Sequence, residues 1–321
     1  MSKRYQGGGS ALAFDADAYG ATLSWLGHPL RDLGIAAVCR PFGDGHCDLR
    51  GSWPYQSLPG LEGLLRLQKL CPTPLSYTAV IRPDIGAEVL ASSLKSIDDR
   101  FAMTCKPLKP HLAHLPDRRA ACETYSSRTR NRLAQANEIF TVAREALGTC
   151  HMIMADWQKR LKALRGIPDQ SSPDAAHFKC LIAAQLPNEF ETAAVTLRWR
   201  TSGEIAGIFL FVSSSGSASW HAHSFLVAPE AIDQFGSYLL FDAALGILGA
   251  GEMWFGGAPA GPNGEGVFRF KQRFTNAFRS AHIISIDLDP KALTEVRAQS
   301  GRFAWLPDYH NPELAMANLR S

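Results

Sequence analysis

Apolar positions change their spacing several times along the chain. In residues 11–105, short apolar runs alternate with turn residues, and Ile35–Val38, Tyr77–Ile81 and Phe101–Cys105 are predicted as strands. Leu58–Leu70 instead carries leucines at helical spacing. Lys106–Pro116 is expected to be extended or turned, because each proline disfavours helix in the residue before it. Ser126–Ala136 then reads as the start of a basic helix, with a serine able to cap exposed N–H groups, and Phe140–Ala143 as a short strand.

Beyond this point the pattern is clearer. His151–Leu164 is amphipathic, Gly166–Asp174 is a polar loop, and Ala175–Gln185 is a second helix. Ala193–Trp199, Ile205–Val212 and Ser219–Val227 alternate or are β-branched, and a hairpin is predicted across Thr201–Gly203. Ile232–Leu248 returns to helical spacing, Met253–Phe255 is a short strand ending at Gly256-Gly257, and Ala281–Leu288 closes as a strand. The order is that of an α/β chain. Its 321 residues, 46% hydrophobic and 20% charged, exclude disorder as the main state and favour two domains.

A net charge of +3 excludes a chain built around nucleic acid, though not a local basic groove. The seven cysteines are scattered and form no C-x-x-C pair, which points to reduced thiols. Met1–Ser10 has no apolar signal region, and no apolar run approaches the roughly 18–20 residues that span a bilayer. The expectation is a cytoplasmic protein with no membrane span.

Candidate chemistry is dispersed. Lys271 follows a glycine-rich turn and is expected to start a helix, where free N–H groups and the dipole favour anions. With Arg269, Arg273 and Arg279 it forms either an anion site or a solvated basic face. Gly256 and Gly257 permit close approach of backbone to a ligand. Arg128 and Arg130, with Arg132 and the nearby Arg118 and Arg119, could meet phosphates or solvent. His221 and His223 alternate on one strand and share a face, with Trp220 on the other. Either could serve as a general base, or both could be hydrogen-bonded strand residues. No third ligand stands at metal-binding spacing, so no metal is expected. Asp44–Asp48 reads as a turn carrying an acidic residue.

Three segments carry a resemblance. Phe255–Phe274 (FGGAPAGPNGEGVFRFKQRF) resembles the strand–glycine–"FK" segment of the Fem-like branch of the GNAT acyltransferases. Tyr125–Ala136 resembles a helix of that family, as does Gly166-Ile-Pro-Asp followed by a helix containing Phe178. The resemblance spans about residues 100–290 and implies an α/β (α+β) fold of two tandem GNAT-like domains. Each would be a mixed, mostly antiparallel sheet flanked by helices: residues 1–148 on the acceptor side, residues 149–321 on the donor side.

It further implies an N-acyltransferase that moves an acyl group from an activated donor to an amine by direct attack. Lys271 would serve the developing oxyanion, and Phe270 would shape the donor channel beside Gly256 and Gly257. Gly236 and Ser237, within Asp233–Tyr238, stand where acyl-CoA enzymes carry their pyrophosphate loop, but match it weakly. Asp48, Trp53, Tyr55, Lys109 and His111 are the acceptor-side candidates, with Arg128 and Arg130 for phosphate. Acyl-CoA is the expected donor and aminoacyl-tRNA the alternative, which would make tRNA a partner. A non-catalytic ligand-binding module is the third reading. The acceptor is expected to be a small-molecule amine whose identity the sequence leaves open.

Overall fold

The computed structural model describes residues 17–25, 28–30, 37–42, 45–52, 55, 61–70, 74–81, 91–92, 95, 97, 101–108, 111–115, 125–165, 175–184, 190–214, 219–248, 251–257 and 264–300. β1 (His28–Leu30), β2 (Ala37–Phe42) and β3 (His46–Gly51) form an antiparallel meander. α1 (Leu61–Leu70) then returns the chain to β4 (Pro74–Ile81), parallel to β3, and β5 (Met103–Pro107) follows. β6 (His111–His114), α2 (Ser127–Ile139), β7 (Phe140–Glu145), α3 (Leu147–Arg165) and α4 (Ala175–Ala184) lead to the antiparallel run β8 (Phe190–Trp199), β9 (Ile205–Ser214) and β10 (Trp220–Val227). α5 (Pro229–Asp233), α6 (Gly236–Ile247), β11 (Met253–Gly256), α7 (Gly264–Gln272), β12 (Ala277–Arg279), β13 (His282–Asp287) and α8 (Pro290–Ser300) complete the order.

Two mixed sheets result: β1-β2-β3-β4-β13-β5 and β12-β6-β11-β10-β9-β8-β7. They interlock in sequence. β13 returns to the first sheet between β4 and β5, while β6 sits between β11 and β12 in the second.

Alternation explains the cores. On the first sheet Leu49, Tyr77, Ala79, Ile284 and Ile286 point one way and pack with Leu64 and Leu67 of α1. The opposite face carries Asp48, Ser76, Thr78 and Ser285, all buried, and Val38, which joins a core shared with the second sheet. β9 is buried along both faces and accordingly reads as a continuous apolar run. Its Phe209 and Phe211 lie in the core beneath α2 and α6, and its Ile208, Leu210 and Val212 in the core beneath α3 and α4. Each such side chain contributes about 1.5–3 kcal/mol when fully buried.

Ser126 caps α2 as expected, its Oγ accepting from Thr129 N at 3.2 Å. Two expectations need correction. Asp44–Asp48 is not one turn: Gly45 takes a φ of 82° and β3 starts at His46, while Asp44 lies outside the described residues. Cys47 and Leu49 can then alternate into the core, which leaves Asp48 buried on the other face. The helix over Ile232–Leu248 is two helices, broken at Phe235, which takes a left-handed φ of 59°.

Candidate active site

β10 and β11 run parallel and pair at Trp220–Met253 and His221–Trp254. Immediately afterwards each strand bulges. His223 is the extra residue of β10 against β9, and Phe255 that of β11 against β6. Bulges re-aim side chains and terminate pairing. Gly256 follows with φ 67°, a conformation open to glycine at little cost.

The carbonyls flanking Gly256 are taken by Lys271. Its Nζ donates to Phe255 O at 2.7 Å and to Gly257 O at 3.0 Å. Burial without a nearby counter-charge pushes the amine down to about 8. Lys271 does not start its helix, as the sequence reading held. α7 begins at Gly264, with Glu265 in the first turn, and Lys271 lies in the last, where a cation complements the dipole. Gly264 and Gly266, which read as part of the glycine-rich turn before Lys271, stand in the helix's first turn. Phe270, half-buried, packs against Tyr238, Phe241 and Phe274 at centroid distances of 5.3, 5.6 and 5.4 Å.

Tyr55 reaches the same strand end from the first half of the chain. Its hydroxyl lies 3.6 Å from the position a Cβ on Gly256 would occupy, and its ring stands edge-on to His221 at 5.7 Å. His221 stacks parallel to Trp254 at 6.2 Å. Tyr55 and Lys271 therefore both meet the Phe255–Gly257 segment, and His221 adjoins it through Tyr55 and Trp254, although these residues come from separate parts of the sequence.

His223 shares the face of His221, while Trp220 joins the opposite core. Its ring is engaged within the protein: Nε2 lies 3.0 Å from Nε2 of His177, and Nδ1 lies 2.9 Å from Ser224 Oγ. His177 Nδ1 is 2.7 Å from Thr22 O, so that nitrogen carries a proton and donates it. In the neutral pair the His177 Nε2 then accepts from His223 Nε2–H, and the Ser224 hydroxyl donates to His223 Nδ1. Burial, then the neighbouring His177, hold the His223 imidazole well below its ordinary range. His177, which the sequence offered as a plain helix position, was the unforeseen partner.

A second cluster lies at the first turn of α6. Arg132 and Arg273 both donate from Nη1 to Tyr238 Oη. The Arg132 guanidinium also stacks over Phe235 at 5.2 Å and over Tyr238 at 4.9 Å. Two guanidinium groups thus converge on one tyrosine oxygen. Asp242, one turn on, accepts from Tyr125 Oη at 2.9 Å. No spacing in sequence could reveal this site, because its residues come from α2, α6 and the segment after α7.

The other expected site residues fall elsewhere. Arg128 and Arg130 are exposed on α2, and Arg130 bonds the carbonyl of Tyr125. Gly236 is packed: a Cβ there would lie 2.7 Å from Leu197 Cδ2 and 2.8 Å from Ala231 O. Ser237 is the next residue of α6, half-buried. Asp48 accepts from Ser76 Oγ at 3.4 Å in the first sheet. His111 lies on β6 with its side chain outside the described residues, and Trp53 and Lys109 lie outside them entirely. Among the described residues no group of three or more His, Cys, Asp or Glu could hold a metal, and no helix is long and apolar enough to cross a membrane.

The fold is Fem-like: two mixed sheets flanked by helices, as in FemX. Among solved structures, FemX superposes with a TM-score of 0.56 at 12% identity, covering 83% of this chain and 90% of its own. A conserved protein of unknown function from Bacteroides thetaiotaomicron gives 0.53 at 10% identity, covering 86% and 92%. The C-terminal domain of a putative lysylphosphatidylglycerol synthetase from Agrobacterium fabrum gives 0.51 at 11%, covering 89% and 92%. At these identities the likeness is one of fold. No protein-family model and no curated protein matches the sequence.

Proposed function

We propose that this chain is an N-acyltransferase that moves an acyl group from an activated donor to an amine by direct attack. The observation that carries the reading is Lys271. Its amine is held by the carbonyls of Phe255 and Gly257 where two parallel strands part, at a segment that Tyr55 also reaches. Acyl transfer needs little covalent machinery. It needs two reactants held in register and a donor group at the oxygen where negative charge develops. Lys271 supplies that contact, and the freed edges of β10 and β11 receive an extended donor.

Acyl-CoA is the proposed donor, with its phosphates on Arg132 and Arg273 beside Tyr238. This uses side chains where related enzymes use a glycine-rich loop, and fits a helix start whose Gly236 is taken up by packing. On this reading the first sheet's side of the cleft takes the acceptor, with Tyr55 there and Asp48, Trp53, Lys109 and His111 as the remaining acceptor candidates, and the second sheet's side takes the donor. An aminoacyl-tRNA donor is the second reading, favoured by the exposed Arg128 and Arg130 on α2. Amide formation assayed with acetyl-CoA or aminoacyl-tRNA against a panel of amines, with and without ribonuclease, separates the two. Turnover with neither, in protein that binds a donor, would favour a binding module.

A further inference from the structure

We propose that Lys271 carries the proton of the transfer, because its two fixed N–H bonds to Phe255 O and Gly257 O match the two hydrogens of a neutral amine and leave its lone pair unused. This rests on the acyl-transfer reading and assigns a base to it. No third partner is bonded to Nζ among the described residues. A neutral amine so held can accept one proton without breaking either bond, and the resulting ammonium presents one new N–H at the vacated position, which is the N–H that reaches the developing oxyanion before it passes to the leaving atom.

The step balances. The neutral acceptor nitrogen attacks the acyl carbon, and the new C–N bond forms as the carbonyl π pair moves to oxygen. Nζ takes a proton from the attacking nitrogen. The oxygen pair then returns, the bond from carbon to the leaving sulfur or oxygen breaks with its electrons on the leaving atom, and Nζ–H gives that atom the proton. Lys271 ends neutral, and donor plus amine have become amide plus thiol or alcohol.

The surroundings suit an amine that changes charge. On its own helix Glu265 and Arg269 pair with each other at 3.0 Å, and Arg273 turns to Tyr238. At the strand end that Lys271 bonds stand the rings of Tyr55 and, on neighbouring β10, His221, and β6 on the other side carries the buried His114. Burial holds the amine near 8, so both protonation states are populated around neutrality.

The test uses the intact protein and needs no substrate at first. Trace acetic anhydride is applied between pH 6 and 10, and acetylation of each lysine is read by peptide mass spectrometry. Lys271 is expected to gain reactivity with a midpoint near 8, below that of the exposed Lys159. A midpoint equal to that of Lys159, or no labelling at any pH, overturns the proposal. A second arm compares Lys271→Arg, which keeps a charge but has no lone pair to offer. It should lose about 100-fold or more in kcat while donor affinity stays within about twofold. Turnover of the arginine variant at the native rate would leave only an oxyanion contact and refute the proton role. Failure of the native protein to bind any donor counts against the acyl-transfer reading instead, and the labelling midpoint is independent of it.

Discussion

The Nε2 atoms of His177 and His223 lie 3.0 Å apart in the core, tying α4 to the bulge of β10. Through Thr22 O at one end and Ser224 and Gln158 at the other, the pair joins four separate elements. Because the fold lowers the His223 proton affinity, the unfolded chain takes up a proton that the native protein refuses. Stability is full above the ordinary imidazole range near 6.5 and falls as pH drops through it. Urea midpoints at pH 7.5 and pH 5.5 should show this fall, and His223→Gln should flatten it while lowering stability at both pH values. An unchanged pH slope in the variant would count against the pair as its source.

Gly236→Ala should destabilise by about 1–3 kcal/mol, because the new methyl meets backbone at 2.8 Å rather than a movable side-chain end alone. Chemical denaturation measures it. Gly266→Ala, where a Cβ meets nothing within 4 Å, is the matched control and should be neutral or slightly stabilising.

Glu145 locks β7 to β8 and to α3. Arg198 donates to it from Nε at 2.8 Å and Nη2 at 3.0 Å, Thr196 at 2.7 Å and Thr149 at 3.1 Å. The Arg198 guanidinium chiefly holds this carboxyl below its usual range, so its contribution is present at neutral pH and is lost on acidification through the carboxylate range. Glu145→Gln should cost about 1.5–3 kcal/mol at pH 7, and the difference from the native protein should shrink as pH falls toward 3. Thermal unfolding across that range reads both effects.

The sequence carried the fold where one rule governed a whole element. Alternation or β-branching marked β8, β9 and β10, and Ser126 announced α2. The Phe255–Phe274 segment carried the fold resemblance with Lys271 inside it, yet the placement of Lys271 within its helix was hidden because Gly264 and Gly266 read as loop. The rest depended on long-range contact. His177 and His223 are 46 residues apart, and Arg132 is 106 residues from the tyrosine it shares with Arg273. No local periodicity encodes such meetings. They follow from the order in which the strands enter the second sheet.

The most direct test of the account is donor binding at the paired arginines. Thermal unfolding is followed with and without saturating acetyl-CoA for the native protein and for the Arg132→Ala/Arg273→Ala variant. A ligand that binds only the folded state at 100 times its Kd stabilises it by about 2.7 kcal/mol. The account predicts a clear rise in Tm for the native protein and loss of most of it in the variant. An equal rise in both, or none in the native protein, would contradict it.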